Sequence, residues 1–108
     1  MAGSKGEHPE PEVKYILEFG EEAKTDLQEI YDWYEIQKYG LGDEFLISLE
    51  KSFSRIEISA EGYRKRYRNL RIEKMNRFPY LIIFKVKGKI ATVVKVVHGK
   101  RHPRIWND

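Results

Sequence analysis

The side chains best equipped for chemistry crowd the second half of the chain. His98-Gly-Lys-Arg101-His102-Pro103-Arg104 sets two imidazoles among guanidinium and ammonium groups, and Trp106 follows. Upstream, Arg64-Lys65-Arg66-Tyr-Arg68 leads into Arg71, Lys74 and Arg77, and Glu73 is the one carboxylate between Tyr63 and Trp106. Cations at that density repel one another in a folded domain, so they point to a polyanionic or acidic partner. A metal role is not expected. His98 and His102 are four apart, but Pro103 opposes the helix that would align them, and without cysteine there is no thiolate ligand. No other cofactor is expected.

Each group also has a plainer reading. A histidine at a strand end is usually a hydrogen-bonded structural residue, and a basic run is usually a solvated loop. Arg71 can pair with an acid of the first helix such as Glu29 or Glu35. Lys95 interrupts an apolar strand and is expected to snorkel to the rim, pointing away from His98 unless a bulge intervenes.

The elements that must position these groups follow from the apolar periods. Residues 1–12 have no period and are rich in Gly, Glu and Pro, which reads as a disordered leader, and residues 13–108 read as one domain. Val13, Tyr15, Leu17 and Phe19 alternate with Lys14, Ile16 and Glu18, a strand with one buried face. After Gly20, the residues Ala23, Leu27, Ile30, Tyr31 and Tyr34 recur at helical steps, and Gly40 ends that helix. Asp43 is placed to cap a second helix with Phe45, Leu46, Leu49, Phe53 and Ile56 on one stripe. So short a link implies an antiparallel hairpin. Beyond Gly62 the period falls to two. Strands are expected at 70–75, 80–86 and 90–97, with Lys87-Gly88 turning between the last two. The fold class is α+β, a small antiparallel sheet with a helical hairpin on one face, in the order β-α-α-β-β-β. The strand cations Arg71, Lys74 and Arg77 should join the Arg64 to Arg68 run as one basic face.

Charge is divided along the chain. Residues 1–62 hold 6 basic and 15 acidic side chains, whereas residues 63–108 hold 14 basic and 2 acidic ones, so the net +3 conceals a dipolar molecule. At 108 residues the chain can bury one two-layer core. No apolar run approaches the ~20 residues of a membrane span, and the cytoplasm is the expected compartment.

The series Asp26-Leu-x-x-Ile-Tyr-x-Trp-Tyr34, Gly40-Leu-Gly-x-x-Phe45, Leu49-x-x-Ser52, Arg77-Phe-Pro-Tyr80 and His98-Gly-x-Arg101-x-Pro103 resembles the RelE/ParE superfamily of toxins, from residue 13 to residue 106. The resemblance implies a growth-inhibiting toxin of a type II toxin–antitoxin (plasmid stabilisation) module, neutralised by a cognate antitoxin. It also implies a choice of target, since one branch cuts messenger RNA on the ribosome and the other poisons DNA gyrase.

Metal-free RNA cleavage needs a base, cationic clamps and an acid held together. Lys74 and Arg101 match two positions of the nuclease pattern, but Ile72 stands for a second lysine, Leu81 for an arginine and Trp106 for a tyrosine. Tryptophan has no exchangeable acid or base function. A histidine-using nuclease would keep Lys74, His98 and Arg101 as catalytic residues. The departures favour the gyrase-directed branch, with Arg64, Lys65, Arg66, Arg68, Arg71, Arg77, His102, Arg104 and Trp106 as nucleic-acid or target contacts. The alternatives are a ribosome-dependent mRNA endonuclease and a non-toxic binding module. Oligomeric state is left open.

Overall fold

The computed structural model describes residues 12–100. The expected leader, apart from Glu12, and residues 101–108 lie outside the described residues. The elements run β1 (Ile16–Phe19), α1 (Glu21–Gln37), α2 (Leu41–Ser59), a 3-10 turn (Ala60–Gly62), β2 (Lys65–Tyr67), β3 (Leu70–Lys74), β4 (Tyr80–Lys87) and β5 (Ile90–His98). In space the strands order β1-β5-β4-β3-β2.

The α+β order holds, with two corrections to the sheet. β1 pairs parallel to β5, from Ile16 opposite Ile90 to Phe19 opposite Val93, so the sheet is mixed rather than antiparallel. The hairpin occupies the β1 to β5 crossover, which lets the last strand lie beside the first in the same direction. The Arg64 to Arg68 run is not simply a loop either. Its centre forms β2, pairing antiparallel with β3 through a two-residue turn at Arg68-Asn69.

The hairpin covers one face of the sheet. Phe45, Leu49 and Ile56 of α2, with Ala23 and Ile30 of α1, pack on Ile82, Phe84, Ala91, Val93 and Val96. Phe45 is fully buried, worth about 1.5–3 kcal/mol relative to exposure. Around it Tyr34, Phe78 and Tyr80 present their rings at centroid distances of 5.7, 5.5 and 5.9 Å.

The tight link between the helices depends on glycine. Gly40 has φ +89°, the left-handed region expected of a helix stop, and is also the N-cap of α2. Asp43 does not cap. The Glu35 carboxylate reaches back from α1 to accept from Gly40 N (3.1 Å) and Gly42 N (3.0 Å), while Asp43 accepts from the Tyr31 hydroxyl. A Cβ on Gly42 would lie 2.8 Å from both the Glu35 Cγ and the Tyr31 ring.

Candidate functional site

The sheet register decides which candidate side chains can meet. In β3, Arg71 pairs with Phe84 and Glu73 with Ile82, both core residues under the hairpin, so Arg71 and Glu73 face the helices. Lys74 pairs with Leu81 and, by alternation, points to the other face. His98 pairs with Tyr80, whose ring packs against Tyr34 and Phe45, and the His98 ring lies 5.4 Å from that of Tyr80. Lys74 and His98 therefore sit on opposite faces of the sheet. Arg101, the third residue of the set, lies outside the described residues, as do His102, Arg104 and Trp106.

The expected basic face is divided too. Arg71 pairs with neither Glu29 nor Glu35. Its Nη1 donates to the Tyr63 carbonyl (2.9 Å) and the Glu61 carbonyl (3.0 Å), tying the 3-10 turn to β3. Arg77 donates to Glu44 of α2 at 2.5 Å. The one acid between Tyr63 and Trp106 is a structural centre: buried Glu73 accepts from Arg55 Nε at 2.9 Å, from Arg55 Nη2, and from the Tyr63 hydroxyl at 2.5 Å. Burial, then the hydrogen bond to Glu73, pushes the Tyr63 phenol far above its ordinary range. Nothing in the spacing of residues 55, 63 and 73 signals this cluster, because α2 and β3 supply it from separate layers.

His98 lies in a cleft between α1 and the adjoining ends of β4 and β5. One lobe, of about 370 Å³, is lined by Trp33, Tyr34, Pro79, Tyr80 and His98. A second, of about 300 Å³, shares Tyr80 and His98 and adds Glu29, Ile30 and Lys95 among its walls. Burial, and then the Tyr80 hydroxyl, raises the Tyr34 phenol. The cleft joins three stretches singled out by their resemblance: Trp33-Tyr34, Arg77-Phe-Pro-Tyr80 and His98-Gly. The Gly99 amide donates to the Pro79 carbonyl at 2.9 Å, which closes the junction.

Lys95 reaches the rim of this cleft from the open edge of β5, because β1 pairs with β5 only as far as Val93. Ile83 pairs with Lys95 but Phe84 with Val93, leaving Val94 over. The bulge precedes Lys95, so register keeps Lys95, opposite Ile83, on the face away from His98, opposite Tyr80, as alternation predicts, and its ammonium pairs with Glu22 of α1 at the strand edge. Asp26 of the same helix accepts from the Val96 amide at 2.9 Å. Lys100 N donates to His98 Nδ1 at 3.2 Å, so the neutral ring carries its proton on Nε2. Among the described residues on this side of the sheet, the imidazole has aromatic neighbours, the Glu29 carboxylate in the shared cleft, and two nearby lysines, ion-paired Lys95 and exposed Lys100.

Residues 17–103 match the family described as ParE toxin of type II toxin-antitoxin system, parDE. The chain belongs to the ParE toxin family. It is a type II toxin–antitoxin toxin, as the order of its motifs indicates. A solved structure titled as the chromosomal ParDE TA system from P. aeruginosa has a similar fold: TM-score 0.70 at 20% identity, over 81% of this chain and 98% of that one. No curated protein sequence matches the chain. Among the described residues of this ParE-family toxin, no helix is long and apolar enough to cross a membrane.

Proposed function

We propose that this ParE-family toxin arrests growth by binding its target, with DNA gyrase as that target, and that a cognate antitoxin neutralises it. The observation that carries the reading is the separation of Lys74 from His98. A nucleolytic centre needs its cation and its acid or base on one phosphate, and here the sheet stands between them. What lies beside His98 is instead an aromatic cleft shaped for a partner's side chains.

For the antitoxin, an amphipathic segment added as a strand or laid down as a helix suits the outer edge of β1. That strand ends the sheet, and alongside it runs a groove of about 650 Å³ whose walls include Tyr15, Ile16, Leu17 and Phe19 of the strand segment and Phe53 and Glu57 of α2. The test is primer extension on several messenger RNAs minutes after induction without antitoxin, with growth followed in the same culture. Growth arrest with intact messages is expected. New cleavage ends within translated regions would overturn the binding mechanism in favour of an mRNA endonuclease, and unimpaired growth would leave a non-toxic binding module.

A further inference from the structure

The topology gathers the starts of β3 and β5 and the ends of β2 and β4 at one end of the sheet. Two hairpin turns meet there, and they have the same form. Each is a two-residue turn with positive φ at its first position: Gly88 at +61° between Lys87 and Ile90, and Arg68 at +54° between Tyr67 and Leu70. That position normally takes glycine, because an L side chain there costs about 1–2 kcal/mol. The β4 to β5 turn follows the rule and the β2 to β3 turn breaks it with an arginine. A strained residue of this kind marks a position where the side chain serves something other than stability.

Its surroundings indicate what. Arg66, Arg68, Lys85, Lys87 and Lys89 are all exposed at this end, and none has a carboxylate partner among the described residues. By contrast Arg55, Arg77 and Lys95 are ion-paired and Arg71 is spent on carbonyls. Of the acids nearby, Glu57 and Glu61 belong to the helical layer, where Glu61 accepts from the Tyr15 hydroxyl, and Glu18 of β1 shares a cross-strand row with Lys85 but stands two strands from it, with Thr92 between. Arg68 also lies 5.3 Å over the half-buried Tyr67 ring, giving the cationic ridge an aromatic member. Along β4, Lys85 and Lys87 are separated by about 6.6 Å, and β2, which carries Arg66, lies two strand spacings away across β3, about 9.6 Å. Cations therefore recur at short, regular intervals in two directions, as a phosphate chain requires and as a compact acidic side-chain cluster does not.

We infer that this two-hairpin end is a nucleic-acid backbone site, holding phosphates through Arg66, Arg68, Lys85, Lys87 and Lys89 without reading sequence. The site is separate from the His98 cleft and does not depend on gyrase being the target. The full-length chain would be titrated against a labelled DNA duplex and a labelled single-stranded RNA, both of random sequence, between roughly 50 and 200 mM salt. Binding should weaken steeply with salt. Replacing Arg66→Gln and Lys87→Gln together should flatten the log–log salt slope on duplex by about 1.8, at ~0.9 per lost contact, and on single strands by about 1.4. The pair Lys38→Gln and Lys51→Gln removes the same charge from the helical layer and should leave the slope unchanged. The stronger of the two probes identifies which nucleic acid the site serves. No salt-dependent binding to either probe would overturn the inference, as would an equal effect of the helical pair or equally effective displacement by polyglutamate. Those results would leave growth arrest, and hence the gyrase reading, untouched.

Discussion

Arg55 and Glu73 form an ion pair whose two halves should not be equally costly to remove. The Glu73 side chain is 5% exposed and that of Arg55 is 40% exposed. Arg55→Met strands a buried carboxylate with the Tyr63 hydroxyl as its remaining donor, and it also removes the guanidinium that donates to fully buried Ser52 at 3.0 Å. An uncompensated buried charge costs about 3–5 kcal/mol. Glu73→Gln is different. The amide oxygen can take the Arg55 donors, the amide nitrogen can donate to the Tyr63 oxygen, and Arg55 keeps its access to water. What is lost is mainly the charge assistance, about 1–1.5 kcal/mol. Urea unfolding monitored by circular dichroism measures both, provided the m-values stay constant. The expected order is wild type, then Glu73→Gln, then Arg55→Met, with the double variant Arg55→Met/Glu73→Met recovering much of the loss. If Glu73→Gln proved as costly as Arg55→Met, burial of the carboxylate would not be what governs this pair, and the reasoning would fail.

Tyr63 should make the protein sensitive to alkali. Its folded pKa is raised, so its contribution is fully present below the unfolded value near 10 and is lost as pH rises above it, at about 1.4 kcal/mol per pH unit. Unfolding curves from pH 9 to 11.5 should therefore show a shallower decline for Tyr63→Phe, and equal slopes would contradict the assignment. Gly42→Ala should destabilise by about 1–3 kcal/mol through overpacking against Tyr31 and Glu35, read as a lowered urea midpoint. At the two turns, Gly88→Ala should cost about 1 kcal/mol, while Arg68→Gly should be about 0.5–1 kcal/mol more stable than Arg68→Ala. A glycine at position 68 that failed to outperform alanine would remove the strain argument. The same Arg68→Gly variant should bind nucleic acid more weakly than the wild type, so stability and binding should move in opposite directions.

Much of the fold was legible because local periods are properties of the sequence itself. The alternation of Tyr15, Leu17 and Phe19, the helical stripes through Ile30 and Phe45, and the β-branched run of β5 each state which side is buried without reference to a partner. Gly40 and Gly88 declared their turns for a similarly local reason, since both hold positive φ. The motif order that places the chain among ParE toxins is likewise one-dimensional. A strand's period says nothing about the strand beside it. Whether β1 joined parallel, whether Lys74 and His98 shared a face, and whether Lys95 could reach Glu22, 73 residues away in sequence, all depended on register between distant segments. The roles of the cations were hidden for the same reason. Arg55, Arg71 and Arg77 look no different in sequence from Arg66 or Lys87, and only the packing of α2 against the sheet gives the first three internal partners and leaves the others facing solvent. Charge can be counted along a chain, but neutralisation is a matter of distance, and distance is set by the tertiary fold.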